Sequence, residues 1–516
     1  MNRHSDNDYA GHYDLCVIGG GINGVGIARD AAGRGLSVLL VEKDDLSEAT
    51  SSRSGKLVHG GLRYLEYYEF RLVREALIER EVLLESAPHI IWPMRFVLPH
   101  SAEDRPAWLV RAGLFLYDHL GGRKRLPGTR ILNLHREPEG KPLKPQYRKA
   151  FEYSDCWAED SRLVVLNAVD AAEKGAHIRT RTAFVNARRT DEFWSIDIKD
   201  RRHGTTETVT ARCLVNAAGP WVNQVIDRVQ EVSSRRRVRL VKGSHLVMRK
   251  FWEGEQAYLI QHSDKRVIFI NPYEKDKALI GTTDIPYEGD PSQVTIDEAE
   301  IDYLLSALNR YFRTPLTRDD ILSTFSGVRP LYDDDSENPS AVTRDYLFDI
   351  DKVSERIPLL SVFGGKITTF RKLAEHAIDQ LTDTFPEMGK PWTRDARLPG
   401  GDMEQANFQL YLEKLQARYA QLEPDLVLHY ARLYGTRAEK LLQSVTHMED
   451  LGQRFGQHLF EKEVRYLVDH EWAQTPSDIL RRRTKHELHM SDTEIAQFEQ
   501  WFDSVWGGRH RVKVAS

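Results

Sequence analysis

Residues 13–42 read YDLCVIGGGINGVGIARDAAGRGLSVLLVE, and this stretch decides the fold class. Tyr13–Ile18 is a short apolar run with β-branched residues, which predicts a buried strand. The glycine-rich turn Gly19–Gly24 follows. Small residues over Val25–Gly33 then predict a helix, and the apolar run Leu36–Val41 predicts a second strand. Strand, helix and strand within about 30 residues predict a parallel sheet that is covered by helices.

The glycine-rich turn has the spacing G-x-G-x-x-G, with Asn23 inside it, which is typical of dinucleotide-binding sites. Gly19 allows the tight turn, Gly21 lets the backbone approach a pyrophosphate, and Gly24 lets helix and strand pack closely. Glu42 ends the second strand, where a carboxylate can accept hydrogen bonds from ribose hydroxyls. We therefore predict dinucleotide binding at this turn, and the motif alone leaves NAD and FAD open.

Two later segments favour a flavin. The first, residues 211–221, is an apolar strand that runs into the small residues Ala217 and Gly219, which permit a close backbone approach. The second, LLSVFGGKITTFRK, repeats this order with Gly365 after the strand and Thr368 early in a helix. A helix N-terminus at this place can stabilise the negative charge of a reduced flavin. The alternative interpretation is two unrelated turns between strand and helix.

Length and composition limit the class of protein. The chain has 516 residues, which is enough for about two to four domains. It carries 72 Lys and Arg against 77 Asp and Glu, so its net charge of −5 does not favour nucleic acid as a partner. Cys16, Cys156 and Cys213 are far apart, which excludes a disulfide framework and fits a reducing compartment. We also expect neither a secretory signal nor a spanning helix, because the first residues are polar and no run reaches about 18 apolar residues.

The pattern of the chain changes near residue 390. Short strand patterns separated by turns fill the middle of the chain, whereas helical patterns such as Arg437–Thr446 dominate from about residue 402. Proline and glycine cluster between residues 386 and 401. We therefore expect one large region over residues 1–390 and a helical C-terminal domain over residues 391–516.

Longer blocks of sequence are similar to one known family. The blocks are TSSRSGKLVHGGLRYLEYYEFRLVREALIEREVL (Thr50–Leu83), FEYSDCWAEDSRLV (Phe151–Val164), LVNAAGPWV (Leu214–Val222), KGSHLV (Lys242–Val247), IGTTDIPYEGDP (Ile280–Pro291), SGVRPL (Ser326–Leu331), TRDY (Thr343–Tyr346) and SVFGGKITTFRKLAEHA (Ser361–Ala377). In this order they resemble the FAD-dependent glycerol-3-phosphate dehydrogenases, specifically the bacterial respiratory type that associates with the membrane. The resemblance covers Tyr13 to about Gly401 and continues more loosely through the helical C-terminus.

The resemblance implies a fold and a cofactor. The fold would be an α/β FAD-binding fold, Rossmann-like and of the glutathione-reductase and D-amino-acid-oxidase type, with an antiparallel-sheet substrate domain and an all-α C-terminal domain. FAD would bind through residues of about 12–90, 150–235 and 320–385, and the substrate through about 91–149 and 236–319. Within the block SSRSGK, Ser51, Ser52 and Lys56 would contribute to FAD binding, and the alternative for this block is a polar loop.

The resemblance also implies a reaction. That family removes the C2 hydrogen of sn-glycerol 3-phosphate as a hydride to the flavin while the C2 hydroxyl loses a proton, which gives dihydroxyacetone phosphate. Such a site needs cations for the phosphate, and guanidinium groups bind phosphate with two hydrogen bonds. By resemblance, the substrate would be bound by Arg63, Tyr64 and Arg344, and the catalytic residues would be His245, Arg329 and Lys366.

The identity of the proton acceptor is left open. His245 is the natural general base because the ordinary histidine pKa is near neutral. Arg329 could instead stabilise the alkoxide at C2, and Lys366 could do so from the flavin side. Without the resemblance, a structural histidine and surface ion pairs are the simpler interpretations. No metal site is predicted, because His486-Glu487-Leu488-His489 lacks the spacing of a zinc-binding HExxH motif.

Members of the resembled family pass their electrons to a quinone in the cytoplasmic membrane. Residues 105–120 combine Trp108 and Phe115 with Arg105 and Arg111, and such an apolar face flanked by basic residues can lie at an anionic membrane surface. We expect a cytoplasmic enzyme attached peripherally to the inner face of that membrane. The alternative is a helix in the core or at a subunit contact, and a homodimer is left open.

Two other functions compete with this one. An oxidase of the same substrate would use oxygen and release hydrogen peroxide. The resemblance favours the dehydrogenase, because the chain lacks the long insertion in its middle that is associated with the related oxidases. A redox-silent regulatory protein that binds flavin would have lost the cations of the pocket, yet all of them are present. The C-terminal domain could brace the catalytic region, self-associate or bind a partner.

Overall fold

The computed structural model describes residues 11–101, 103–333, 345–351 and 357–510. The predicted substrate-binding residue Arg344 lies outside the described residues. The strands are β1 (His12–Ile18), β2 (Val38–Val41), β3 (Leu57–Val58), β4 (Ile91–His100), β5 (Arg130–Asn133), β6 (Lys149–Ala158), β7 (His177–Arg179), β8 (Thr182–Arg189), β9 (Trp194–Asp200), β10 (Thr206–Asn216), β11 (Val238–Arg249), β12 (Ala257–Gln261), β13 (Val267–Tyr273), β14 (Lys277–Gly281), β15 (Ile285–Pro286), β16 (Ile321–Tyr332), β17 (Tyr346–Asp351) and β18 (Leu359–Gly364). The α-helices are α1 (Ile22–Gly33), α2 (Phe70–Ser86), α3 (Ala107–Leu120), α4 (Asp160–Glu173), α5 (Val222–Ile226), α6 (Glu298–Tyr311), α7 (Phe370–Asp379), α8 (Phe408–Arg418), α9 (Pro424–Tyr434), α10 (Ala438–Leu441), α11 (Glu461–His470) and α12 (Asp492–His510).

The first sheet contains the predicted strand–helix–strand unit. Its strand order is β17-β18-β10-β1-β2-β7, and the neighbours from β18 to β7 are parallel. The helices α1, α4 and α7 bury apolar side chains on this sheet in one core. The carboxyl ends of β18, β10, β1 and β2 therefore meet at one edge, which is where ligands bind in open α/β sheets.

The second sheet has the strand order β15-β11-β14-β13-β12-β4-β6-β3, with β16 beside β11 and β5 beside β6. Its pairs are antiparallel except for β12 and β4. Side chains alternate between the faces, so Leu246 packs with α6 and the next residue, Val247, packs in the core that includes α2 and α3. The predicted α/β fold with an antiparallel-sheet domain is confirmed.

The C-terminal helices α8–α12 build a separate core that includes Leu426, Tyr430, Leu467 and Phe498, so the predicted all-α domain is confirmed. The predicted helix Arg437–Thr446 is wrong in length, because α10 ends at Leu441 and Ser444 takes a left-handed backbone conformation that stops a helix. The division at residue 390 stays a prediction. Within the described residues, no helix is both long and apolar enough to cross a bilayer.

Candidate active site

A cavity of about 2220 Å³ lies between the carboxyl edge of the first sheet and the second sheet. Typical small-molecule pockets have about 300–1,000 Å³, so this one has room for a dinucleotide and a substrate together. Its walls include most of the predicted site residues. They are Gly19, Gly21, Asn23, Glu42, Ser51, Ala217, Gly219, Gly365 and Thr368 for the cofactor, and Arg63, Tyr64, His245, Arg329 and Lys366 for the substrate and the chemistry.

The glycine-rich turn is packed as its spacing predicts. A Cβ at Gly24 would lie 1.9 Å from the carbonyl oxygen of Gly19, so helix and strand approach too closely for any side chain. A Cβ at Gly19 would lie 2.5 Å from the carbonyl oxygen of Ala217, so the first of the two flavin segments lies against the glycine-rich turn. The Ile22 N–H at the start of α1 donates to Ser51 Oγ at 3.0 Å. Ser51 therefore lies at the helix N-terminus that is predicted to face the pyrophosphate.

Glu42 is held by the backbone on both sides of its carboxylate. The Gly20 N–H donates to Oε2 at 2.7 Å, and the Asp44 N–H donates to Oε1 at 2.8 Å. Burial raises the pKa of Glu42 to about 7, and these two backbone hydrogen bonds oppose that rise. Each oxygen keeps a lone pair that can accept from a ribose hydroxyl.

The second flavin segment, LLSVFGGKITTFRK, closes the same site. Asn23 Nδ2 donates to the Gly364 carbonyl at 3.3 Å, while Asn23 Oδ1 is buried without a hydrogen-bond partner. Thr368 Oγ1 accepts from the backbone N–H of His59 at 3.2 Å. The close-packed turn, Glu42 and the unmatched amide oxygen of Asn23 together fit a bound dinucleotide.

Two residues predicted to bind the cofactor are placed elsewhere. Ser52 Oγ donates to the Ala49 carbonyl at 3.2 Å and does not line the cavity. Lys56 is buried, and its ammonium lies 2.9 Å from a carboxylate oxygen of Asp160 on α4. These side chains shape the loop rather than the cavity wall, because each finds its partner within the protein. The contribution of Ser52 and Lys56 to FAD binding stays a prediction.

Arg329 on β16 is fixed from one side. Its Nη1 lies 2.6 Å from Asp284 Oδ1, and its Nη2 donates to Thr282 Oγ1 at 2.9 Å. The guanidinium lies against Gly243 on β11, where any side chain would displace it. Nη1 also donates to the Thr283 carbonyl at 3.2 Å. Arg329 is therefore oriented before any ligand arrives.

Lys366 and Tyr64 are in contact although they are 302 residues apart in the sequence. The Lys366 ammonium lies 3.8 Å from the centroid of the Tyr64 ring, which is a cation–π contact. Arg63 lies next to Tyr64 in the short 3₁₀-helix Leu62–Tyr67 and donates from Nη2 to the Tyr67 hydroxyl at 3.3 Å. The structure thus collects three cations, Arg63, Arg329 and Lys366, in the walls of one cavity.

His245 is buried on β11 and stacks on Phe325, with ring centroids 4.7 Å apart. Burial first, and then the positive charges of Arg329 and Lys56, lower the pKa of His245 well below its ordinary value. The imidazole is therefore neutral at pH 7, which is the form that can accept a proton.

This protonation state predicts a flat pH profile for the reduction step. We expect the rate of flavin reduction at saturating substrate to show no acid limb near pH 6.5, because His245 is already neutral there. The measurement is stopped-flow flavin bleaching between pH 5.5 and 8, with saturating substrate because a sugar phosphate itself titrates in this range. A limb near pH 6.5 that His245→Asn removes would contradict the lowered pKa.

Three wall residues were not singled out by sequence reasoning. Asp284 fixes Arg329 and lies inside the block IGTTDIPYEGDP, so its position was signalled but its role was not. Asn271 is buried and donates to the Gly55 carbonyl at 3.2 Å. His59 packs edge to face on Phe269 with ring centroids 5.8 Å apart. His59 lies inside the block Thr50–Leu83, so its position was also signalled, whereas Asn271 lies in none of the blocks.

The C-terminal domain also reaches this site. Asp478 and Arg482 line the cavity. Arg482 Nε lies 2.7 Å from Asp45, and the two Nη atoms of Arg483 lie 2.6 and 2.9 Å from the same carboxylate. Asp45 lies after Glu42 in the loop that follows β2. The same loop then contacts the glycine-rich turn, where the Ser47 N–H donates to the Gly20 carbonyl at 3.1 Å. The helical domain therefore supports the loop that is predicted to bind the ribose.

The fold and this site define an FAD-dependent oxidoreductase. The profile of the FAD dependent oxidoreductase family matches residues 14–362, and that of the C-terminal domain of alpha-glycerophosphate oxidase matches residues 391–501. The chain belongs to the FAD-dependent oxidoreductase family, and its cofactor is FAD.

Individual relatives resemble the chain over nearly its whole length. A D-erythritol 1-phosphate dehydrogenase of Brucella abortus is 63% identical and covers 95% of this chain and 98% of its own. An aerobic glycerol-3-phosphate dehydrogenase of Escherichia coli is 51% identical, with 98% and 99% covered. The crystal structure of a glycerol-3-phosphate dehydrogenase from Bacillus halodurans, complexed with FAD, superposes with a TM-score of 0.77 at 28% identity, covering 96% of this chain and 91% of that one. The resemblance seen in the sequence blocks is confirmed.

Proposed function

We propose that this protein is an FAD-dependent dehydrogenase that oxidises a secondary alcohol of a polyol monophosphate to a ketone. The observation that carries the proposal is that Arg63, Arg329, Lys366 and a neutral His245 lie in the walls of the cavity that begins at the dinucleotide turn. sn-Glycerol 3-phosphate is the first candidate substrate, and dihydroxyacetone phosphate its product, because the Escherichia coli and Bacillus halodurans relatives carry the corresponding name.

FAD, when bound, supplies the acceptor of the hydride that leaves the alcohol carbon. The side chains of the cavity perform the other tasks. Arg63 and Lys366 offer positive charge to a dianionic phosphate, and the oriented Arg329 can stabilise negative charge that develops on the alcohol oxygen. His245 Nε2 or Nδ1 can take the hydroxyl proton, since Nδ1 is buried without a partner. An arginine is a poor base because its pKa exceeds about 12.

D-Erythritol 1-phosphate is a second candidate substrate. The observation that favours it is the 63% identity to the Brucella abortus enzyme, which exceeds the 51% to the Escherichia coli enzyme. The two compounds share a phosphate ester and a neighbouring secondary alcohol, and erythritol phosphate is longer by one CHOH group. The same cations would bind either phosphate, so the selection would depend on what the wall offers to the extra hydroxyl.

The test is the visible spectrum of the purified flavoprotein under anaerobic conditions. We expect the flavin to bleach on addition of a polyol monophosphate, and the ratio of kcat/KM for the two candidates identifies the physiological one. A site built for the extra hydroxyl can favour the longer compound by about 10²-fold or more. A flavin that stays oxidised with both compounds, and with their enantiomers, would contradict the proposal and favour a redox-silent protein.

We further propose that the enzyme is cytoplasmic, attached to the inner face of the cytoplasmic membrane, and that it passes electrons to a quinone there. The support is the face of α3, where Trp108 is 72% and Phe115 58% exposed while Leu114 and Tyr117 anchor the helix in the core. Leu109 and Leu116, also partly exposed, line the cavity as well. An apolar surface that reaches into the active-site cavity suits a lipid-soluble electron acceptor.

The membrane proposal predicts which side chains matter for attachment. We expect Trp108→Ser with Phe115→Ser to reduce co-sedimentation with anionic liposomes by at least about tenfold, because each aromatic side chain contributes about 1.5–3 kcal/mol when fully buried in an apolar phase. Ile131→Ser is the matched control, since Ile131 is 52% exposed on β5 and outside this face. A wild-type protein that stays in the supernatant at low salt would contradict the proposal.

The electron acceptor is tested separately. We expect turnover with a soluble quinone analogue and little hydrogen peroxide in air-saturated buffer. Peroxide formed in proportion to substrate would instead identify an oxygen-using oxidase.

A further inference from the structure

A cluster of metal-ligating side chains lies in the C-terminal domain. His429 is on α9, Glu463 on α11, and His486 begins a short helix after the segment 478–483. One ligand atom from each of the three lies within 4.8 Å of the other two. None of the three residues lines the active-site cavity.

The spacing of the ligand atoms fits a small tetrahedral ion. His429 Nε2 lies 2.9 Å from Glu463 Oε1, and His486 Nε2 lies 3.8 Å from Glu463 Oε2. Zinc binds nitrogen and oxygen at about 2.0–2.2 Å, so neighbouring ligand atoms of a tetrahedron lie about 3.3–3.6 Å apart. The two observed distances lie on either side of that value.

Buried atoms of this cluster have no hydrogen-bond partner. Glu463 Oε2 and His486 Nε2 are both unmatched, although the two side chains are only 0% and 6% exposed. Both ring nitrogens of His458, whose ring stacks 5.9 Å from that of His429, are also buried and unmatched. A buried carboxylate oxygen without a donor is costly, and a cation between Glu463 Oε2 and His486 Nε2 would satisfy both atoms.

A hydrogen bond from a neighbouring side chain fixes the carboxylate of the cluster. The Tyr434 hydroxyl donates to Glu463 Oε1 at 2.7 Å, which is the kind of outer contact that orients a ligating carboxylate.

We propose that His429, Glu463 and His486 bind a structural divalent ion of the zinc class. Imidazole nitrogen with one carboxylate suits zinc better than the all-oxygen shells that calcium and magnesium prefer. The ion would join α9 and α11 to the segment that continues back to Arg482 and Arg483. No metal site is predicted from the sequence, because the spacing around His486 does not match a zinc-binding motif. A site that is assembled from distant residues has no such local motif.

The test uses the FAD-loaded full-length enzyme without a histidine tag. We expect one zinc ion per chain by elemental analysis, X-ray absorption with imidazole and oxygen neighbours, and a melting temperature that falls by on the order of 2 °C or more when a chelator removes the ion. Glu463→Gln and His486→Gln should each lose the ion and the chelator effect. The control is His447→Gln, because His447 is an exposed histidine of the same domain.

Two results would overturn the proposal. The first is a wild-type protein that purifies without metal and takes up none from about 10 µM zinc, a level that saturates structural sites. This measurement does not depend on any variant folding. The second is zinc that stays bound in Glu463→Gln and His486→Gln with normal FAD content, which would place the ion elsewhere.

Discussion

Arg329→Gln will lower kcat/KM for the polyol phosphate by about 10²- to 10³-fold and leave FAD bound. Arg329 holds Asp284 at 2.6 Å and is oriented into the cavity by Thr282. Losing a charge-assisted hydrogen bond to substrate costs about 2–4 kcal/mol, which is a factor of 30 to 1,000. The substitution also leaves the Asp284 carboxylate without its cation, and that carboxylate will repel a dianionic phosphate.

A double variant separates the two effects. Asp284→Asn added to Arg329→Gln removes the repulsion without restoring the guanidinium, so KM should recover in part while kcat stays low. Arg318→Gln is the control, because Arg318 pairs with Glu298 and Asp302 at the surface. Kinetics of Arg329→Gln within threefold of the wild type would contradict the role of Arg329.

The parts of the fold that sequence could predict are those set by local pattern. The strand β1, the helix α1 and the strand β2 follow from apolar runs and three glycines within about 30 residues, and their bounds differ from the prediction by a few residues. The role of Glu42 could be predicted because the acidic residue after the second strand has a fixed place relative to the glycine-rich turn. Such features need no knowledge of distant contacts.

The remaining parts depend on contacts between distant residues. Ser51 and Ser52 are adjacent and chemically identical, yet only Ser51 faces the glycine turn, because the loop turns between them. The pairing of Lys56 with Asp160 on α4 is another contact that the local sequence does not reveal. The short helix α10 shows the same limit, since the left-handed Ser444 overrides a helical pattern.

The C-terminal domain shows this dependence most clearly. The basic run Arg481–Arg483 has the composition of a solvated face, but only Arg481 is solvated and paired with Glu487. Arg482 and Arg483 are buried against Asp45, 437 and 438 positions away in the sequence. A second buried pair, Arg162 with Glu471 at 2.9 Å, ties the same domain to α4. Of the three roles left open for this domain, these contacts favour bracing of the catalytic region.

Arg483→Met will therefore destabilise the protein strongly and weaken FAD binding. Arg483 is fully buried, and its two Nη atoms hold both oxygens of Asp45 while Nη2 also donates to the Glu471 carbonyl at 2.7 Å. Removing one partner of such a pair costs about 3–5 kcal/mol, because the other charge stays buried. Asp45 is in the loop of Glu42, so we expect the dissociation constant for FAD, measured by flavin fluorescence, to rise at least about tenfold.

The pH dependence follows from the same carboxylate. Burial alone would raise the pKa of Asp45, but Arg483 and Arg482 outweigh it and hold the pKa below its ordinary value. The unfolded chain thus binds the proton more readily, so this stabilisation is complete above the ordinary aspartate pKa of about 3.9 and is lost as the pH falls through the lower folded value. Arg483→Met should show a weaker loss of stability over that acid range than the wild type.

Arg481→Met is the matched control. The guanidinium of Arg481 is exposed and pairs with Glu487 at the surface, where such pairs contribute about 0–1 kcal/mol. Asp45→Asn in the Arg483→Met background should recover part of the lost stability, because Arg482 keeps Asp478 at 2.5 Å and Glu48 at 2.9 Å as partners. This recovery would show that Arg483→Met destabilises the protein by leaving the buried Asp45 charge unpaired. If the cause were a loss of packing, Asp45→Asn would not restore stability. If Arg483→Met unfolds like Arg481→Met and binds FAD as tightly, the C-terminal domain does not brace the FAD loop through Asp45.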